Sequence, residues 1–461
     1  MGKPFWRSVE YFFTGNYSAD DGNNNIVAIG FGGQIHAYGG DDHVTVGSIG
    51  ATVYTGSGND TVVGGSAYLK VEDSTGHLIV KGAAGYADIN KSGDGNVSFA
   101  GAAGGVSIDH LGNHGDVSYG GAAAYNGITR KGLSGNVTFA GAGGYNALWH
   151  ETNQGNLSFT GAGAGNKLDR TWSNRYQGSH GDVTFDGAGA ANSISSRVET
   201  GNITFRGAGA DNHLVRKGKV GDITLQGAGA SNRIERTHQA EDVYTQTRGN
   251  IRFEGVGGYN SLYSDVAHGD IHFSGGDHLI ATAISKFSQF NGGEGRDLMV
   301  LGGYQNTFKG GTDVDSFVVS GDVIDNLVED IRSEDNIVFN GIDWQKLWFE
   351  RSGYDLKLSI LRDPSNDSDQ SKFEHIGSVT FSDYFNGNRA QVVIGMSEKD
   401  LSGEREYTML SDSAIDALVQ AMSGFEPQAG DNGFIDSLES KSQAAISMAW
   451  SDVVHKKGLM V

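Results

Sequence analysis

Apolar residues return at a fixed interval near the start of the chain: Ile26, Ile35, Val44, Val53, Val62, Val71, Val80 and Ile89 stand nine residues apart. Polar residues and glycines surround each of them, a pattern of short strands that send single side chains inward between turns. From Gly95 the rhythm lengthens. "GNVTFAGAGGYN" (135–146) recurs as "GNLSFTGAGAGN" (155–166), "GDVTFDGAGAAN" (181–192), "GNITFRGAGADN" (201–212) and "GDITLQGAGASN" (221–232). Its leading glycine falls at 95, 115, 135, 155, 181, 201, 221, 249 and 269, in steps of 20 broken by one of 26 and one of 28. A fixed period of this size predicts a solenoid. Each unit holds an inward pair such as Val137 and Phe139 or Ile203 and Phe205, a G-A-G corner, and a second strand such as 146–148 or 212–214. Glycine and alanine at the corner let neighbouring coils approach closely. The two long steps place "TWSNRYQGSH" and "THQAEDVYTQTR" at one point of the coil, as loops beside the stack. Asparagine recurs eleven residues after the glycine, at Asn126, Asn146, Asn166, Asn192, Asn212, Asn232 and Asn260, which predicts an amide ladder between coils. Nine coils at about 4.8 Å each make a rod of roughly 43 Å.

Two regions carry a second register. "DGNNNIV" (21–27), "GGDDHVTV" (39–46) and "TGSGNDTVV" (55–63) align Gly22 with Gly40 and Gly58, and Asn24 with Asp42 and Asp60, at eighteen-residue spacing. "GGEGRDLMV" (292–300) and "GGTDVDSFV" (310–318) set Asp297 eighteen residues before Asp315, with Met299, Phe308 and Phe317 nine apart. These match G-G-x-G-x-D-x-U-x, the calcium β-roll repeat, whose turn offers carbonyl oxygens and one carboxylate while the apolar residue closes the core. Ca²⁺ takes about six or more oxygens from flexible ligands, and each ion would be shared between neighbouring turns. The expected metal ligands are therefore Asn24, Gly40, Asp42, Gly58 and Asp60 in the first array, and Gly293, Gly295, Asp297, Gly311, Asp313 and Asp315 in the second. Such a site acts as a folding switch, because acidic turns repel without the ion and pair across it once bound.

Beyond Ser320 the pattern changes. "DVIDNLVEDIRSEDNIVFNGI" (322–342) predicts a short helix and then a strand, and "YDLKLSIL" (354–361) and "SVTFSDYF" (378–385) predict further strands. "LSDSAIDALVQAMSGF" (410–425) and "SLESKSQAAISMAWSDVV" (437–454) carry apolar residues at i, i+3 and i+4 and predict two amphipathic helices. The expected fold class is an all-β solenoid, calcium β-roll segments plus a β-helix of twenty-residue coils, with a small α+β C-terminal region ending in those helices. The expected organisation is an N-terminal cap (1–20), nonapeptide repeats (21–90), twenty-residue repeats (91–276), calcium repeats (277–320), a β-rich cap (321–400) and an export-signal region (401–461).

Composition narrows the function. Glycine makes up 72 of 461 residues against only 3 prolines, so the glycine belongs to ordered turns rather than to a disordered tract. The net charge is −21, which speaks against a nucleic-acid partner. Without cysteine there is no disulfide frame, thiolate zinc site or cysteine nucleophile. The N-terminus lacks the apolar core of a secretory signal, and no apolar run is long enough for a spanning helix. Asp42, Asp60 and Asp73 are carboxylates of the kind that act on acidic polysaccharides in β-helical enzymes, but no Asp/Lys/Arg/His cluster breaks the repeat, so no catalytic residue is expected. His110, His114, His150, His180 and His268 fall between strands and are expected in solvated loops. "GSGNDT" lacks the Lys-Ser/Thr of a phosphate loop.

The stretch "MGKPFWRSVEYFFTGNYSADDGNNNIVAIGFGG" and the GNVxFxGAGxxN units resemble the amino-terminal repeat region of the multifunctional-autoprocessing repeats-in-toxin (MARTX) family of Vibrio, and "GGEGRDLMVLGG" onward resembles that family's carboxy-terminal calcium repeats and type I secretion signal. The resemblance implies a secreted, extracellular toxin scaffold that folds in calcium, is exported by a type I secretion apparatus and associates with the host cell membrane for pore formation or effector translocation. No motif names the host receptor. The family's long central portion, with effectors and a cysteine protease, is missing, and the twenty-residue rhythm stops in mid-unit near Gly276, where the two ends would be joined. A calcium-stabilised adhesin or structural rod without membrane activity is the alternative.

Overall fold

The computed structural model describes residues 10–423, apart from 66, 228, 255–259, 275–277, 283–285, 343–345, 362–374 and 400–404, together with 454–457. The first nine residues, the junction near Gly276 and nearly all of the second expected helix (437–454) lie outside the described residues; only Val454 of that helix is described, and it begins the strand Val454–Lys457. Two compact units divide the chain, one of residues 1–233 with 238–243 and one of 234–237 with 244–461. Each holds a β-solenoid of parallel strands stacked coil on coil, and the second unit adds antiparallel strands from Leu347 onward.

In the first unit the nine- and twenty-residue rhythms are one register. Ile26 pairs with Val44, Val44 with Val62 and Val62 with Val80, and the column continues into Phe99, Tyr119, Phe139, Phe159, Phe185, Phe205 and Leu225. A second column runs from Ile35 through Val53, Val71, Ile89, Ile108, Ile128, Leu148, Leu168 and Ile194 to Leu214. Two nonapeptides therefore make one coil, each feeding one wall of the core. Where the coil lengthens, the first column changes from valine to aromatic residues, whose rings stack at 4.5 Å for Tyr119 and Phe139 and 4.8 Å for Phe139 and Phe159. Ring spacing thus equals strand spacing, so the aromatic core is set by the backbone ladder. Glycines align too: Gly40, Gly58, Gly76 and Gly95 occupy one corner, and a Cβ at Gly95 would stand 1.8 Å from the Gly76 carbonyl oxygen.

The expected amide ladder is present. Asn126 Nδ2 donates to Asn146 Oδ1 at 2.7 Å, and the chain of bonds continues through Asn166, Asn192, Asn212 and Asn232 at 2.6 to 2.8 Å, all of them buried. Both inserted loops leave the stack as expected. Tyr176 in the first donates its hydroxyl to Asp242 in segment 238–243 at 2.6 Å, so the two loops clasp each other across the intervening coils.

In the second unit Leu262, Ile280, Met299, Phe317 and Ile337 form one column, and Ile271, Phe290, Phe308 and Val328 form the other. The short helix expected within 322–342 is replaced by the strands Ser316–Ile324 and Asn326–Val328. The stack decides this locally: Asn326 follows Asn306 by twenty residues and its Oδ1 accepts the Asn306 N–H at 2.9 Å, while Asp325 turns the corner with φ of 52°. The strand expectations hold at Asp355–Leu361 and His375–Phe381, which pair antiparallel. One amphipathic helix, Asp412–Met422, buries Ala414, Ile415, Leu418, Val419 and Met422, and the Ser411 hydroxyl caps it by accepting the Ala414 N–H at 3.1 Å.

Candidate metal centre

Asp42 and Asp60 lie in adjacent turns with about 1% of their surface exposed. Each uses one oxygen as a rung: Asp42 Oδ1 accepts the Asn24 N–H and Asp60 Oδ1 accepts the Asp42 N–H, both at 2.8 Å. The second oxygen of each is buried without a hydrogen bond. Asn24 completes the column at its outer end, its amide nitrogen donating to the Asp20 carbonyl at 3.0 Å. Gly40 and Gly58 bring the turns together, since a Cβ on Gly58 would stand 1.9 Å from the Gly40 oxygen.

The second array repeats the arrangement and extends it. Asp315 Oδ1 accepts the Asp297 N–H and Asp335 Oδ1 accepts the Asp315 N–H, both at 2.9 Å. A Cβ on Gly292 or Gly310 would meet the second oxygen of Asp297 at 2.1 Å or of Asp315 at 2.2 Å, so each carboxylate lies against the first glycine of its own turn. Gly311 stacks on Gly293, and the Gly310 and Gly311 N–H groups donate to Asp330 at 2.9 and 3.0 Å. Gly295 donates to Asp313, which is exposed, at 3.2 Å. Asp330 and Asp335 escaped the sequence reading because the last step is twenty residues rather than eighteen; the D-x-I that Asp335 forms with Ile337 was the available signal. Arg332 Nη2 lies 3.7 Å from Asp315.

Burial raises the carboxyls of Asp42, Asp60, Asp315, Asp330 and Asp335. Asp42 is pushed up to about 6 and Asp60 to about 7, each opposed by the backbone N–H it accepts and assisted by neighbouring aspartates. Asp315 rises to about 7 for the same first cause. Among the described residues no three His, Cys, Asp or Glu side chains converge on one point. A divalent cation here would therefore take backbone carbonyls for the rest of its shell, which Ca²⁺ accepts and a thiolate- or imidazole-seeking metal does not. The donor set fits that ion: stacked carboxylates withdrawn from water are stabilised by a positive charge placed between them.

A folded carboxyl held above its unfolded value stabilises the fold fully below about pH 4, and that contribution is lost as the pH rises through the folded value. In chelator, hydrogen exchange of peptides spanning 41–62, corrected for intrinsic rate, is therefore expected to be ten-fold or more slower near pH 5 than near pH 8. Asp60→Asn, which keeps the acceptor oxygen and removes the charge, is expected to flatten that slope; an unchanged slope would exclude the mechanism.

Two further columns carry the turns and were not anticipated. The residue after each leading glycine is Asn or Asp in most coils, and its Oδ1 accepts the N–H of the next such residue: Asn96 from Asp116, Asp116 from Asn136, Asn136 from Asn156, Asn156 from Asp182 and Asp182 from Asn202, at 2.7 to 2.9 Å. The other column is buried and basic. Lys91, His110, Arg130, His150, Arg170, Ser196 and Arg216 pair in register, and all are essentially inaccessible. Arg130 donates to the carbonyls of Gly112, Asn113, Gly115, Lys131 and Ser134, so its charge is answered by corner carbonyls instead of a carboxylate. His110 and His150 are thus buried, contrary to the loop expectation that His114, His180 and His268 do meet. Asp73, considered above as a catalytic carboxylate, is buried between Thr55 and Lys91 and accepts from both, out of reach of a polymer.

The RtxA repeat family model matches residues 101–118, 121–138, 141–158, 161–184, 187–204, 207–224 and 255–272. A multifunctional-autoprocessing repeats-in-toxin protein of Vibrio vulnificus is 96% identical over 185 residues, covering 40% of this chain. The matched stretch spans 4% of that relative's length. No solved structure matches the chain.

Proposed function

From a repeat region of the multifunctional-autoprocessing repeats-in-toxin type, built as a structural scaffold, we propose a secreted calcium-binding toxin scaffold that folds on extracellular Ca²⁺ and associates with the host membrane for pore formation or effector translocation. The observation that carries the calcium reading is the pair of stacked aspartate columns, Asp42 with Asp60 and Asp297 with Asp315, whose buried carboxylates lie one coil apart. Asn24, Gly40 and Gly58 would complete the first site, and Gly293, Gly295, Gly311 and Asp313 the second, with Asp335 as a further rung. Bound Ca²⁺ supplies the charge that cancels carboxylate repulsion; the chain's own part is to hold the oxygens in register. Export by a type I apparatus suits a chain that stays open where calcium is scarce and closes where it is plentiful.

Calcium titration of the full chain followed by circular dichroism is the test. A gain of β signal in the millimolar range, reversed by chelator, is expected, with stabilisation of about 2.7 kcal/mol per site at a hundred-fold excess over Kd. Asp297→Ala with Asp315→Ala is expected to remove the second unit's share. A spectrum indifferent to calcium would sink the proposal. Dye leakage from vesicles in calcium separates the membrane-active scaffold from an inert rod, which leaves them intact.

A further inference from the structure

His110 and His150 sit in the buried basic column in a way that defines their protonation. The Gly112 N–H donates to His110 Nδ1 at 3.2 Å, so that nitrogen is unprotonated and Nε2–H is the donor to the Gly95 carbonyl at 2.5 Å. His150 Nε2 lies 2.7 Å from the Gly135 carbonyl, with the Thr152 hydroxyl at 2.9 Å, and its Nδ1 is buried with no hydrogen bond. A second proton therefore has no place: on His110 it opposes the Gly112 N–H, and on His150 it makes a buried donor without an acceptor. The flanking coils add like charge. Lys91 and Arg130 face His110, Arg130 and Arg170 face His150, and Asp73 is already engaged by Lys91. At the exposed corner below His110 stand Asp94 and His114. Asp109 and Glu151, next along the two strands, alternate to the outer face. Arg130 and Arg170 tolerate their charge in this column because each reaches several carbonyls; a protonated imidazole reaches one. Within unit 1, Ser196 fills the alternate rung between Arg170 and Arg216 with a small neutral group.

We propose that His110 and His150 form an acid-sensitive latch, neutral and closed at neutral pH, whose protonation in a mildly acidic medium opens the coils between about residues 91 and 181. Burial, with the neighbouring cations, pushes His110 down to about 4 and holds His150 well below the usual imidazole range. Depressed folded values mean that the latch's contribution is complete above about pH 6.5 and is lost as the pH falls toward the folded value.

Hydrogen exchange of the full chain in calcium chloride, corrected for intrinsic rate, tests this. Between about pH 7.5 and pH 5 protection of peptides within 97–171 is expected to fall at least ten-fold, while peptides within 201–226 keep theirs. His110→Ser with His150→Ser, following the residue at Ser196, is expected to lose the pH slope whatever its absolute protection. A flat wild-type profile, or a variant with the wild-type slope, overturns the latch. Should the variant not fold, imidazole NMR of the wild type decides: both rings are expected to stay neutral in the folded chain to below about pH 5.5, and titration near 6.5 overturns the proposal.

Discussion

Arg216→Met is expected to destabilise the first unit by about 3–5 kcal/mol, read as a shift of the denaturant midpoint of the full chain at constant slope. Arg216 is completely buried and donates to five carbonyls, those of Val198, Glu199, Gly201, Lys217 and Val220. Those carbonyls sit at the corners of two successive coils, so one guanidinium ties both. Burial draws its pKa down to about 10, which still leaves it charged at neutral pH. Methionine fills much of the volume but returns no donor, and each acceptor loses a charge-assisted bond. Arg216→Lys is expected to recover less than half of the loss, because an ammonium at the end of a single stem cannot address five directions at once. If methionine costs under about 1 kcal/mol, the column is only filler.

Gly135→Ala is expected to cost about 3 kcal/mol or more. Its added Cβ would stand 1.9 Å from the Gly115 oxygen and 2.9 Å from Arg130 Nε, and its φ of 146° is one that side-chain-bearing residues avoid. Neither neighbour can retreat. The Gly115 oxygen is fixed by Arg130 Nε at 2.7 Å, and Gly135 N–H is held by the Gln154 carbonyl at 3.0 Å. Gly127→Ala is the control: its nearest atom is a tyrosine ring carbon at 3.9 Å, an ordinary contact, and its effect should stay within about 1 kcal/mol. Equal losses for the two would show that coil spacing is not set at the glycine corner.

Periodicity carried most of the fold. Inward pairs such as Val137 and Phe139 had to repeat for the coils to share a core, and the ladder asparagines had to repeat because a lone buried amide would be unsatisfied. Asp42, Asp60, Asp297 and Asp315 were legible for the same reason. The basic column was not, since its rungs are Lys, His, Arg and Ser, with no residue type in common. What they share is position: Arg130 follows the inward Ile128 by two residues, so strand alternation alone sends it inside. The mistaken helix within 322–342 has the converse cause. Val323, Leu327 and Val328 have helical spacing in isolation, but Val323 and Val328 take their places against Gly303 and Phe308 of the preceding coil.

Because Val117, Val137 and Leu157 and their strands bond only to the coil before and the coil after, the chain resists tension one turn at a time. Pulled from an end, a twenty-residue turn peels away as a unit and releases about 66 Å of contour length, after which the next turn bears the same load. A machine that reels such a chain through a narrow opening meets a series of small, similar barriers and never the strength of the whole stack.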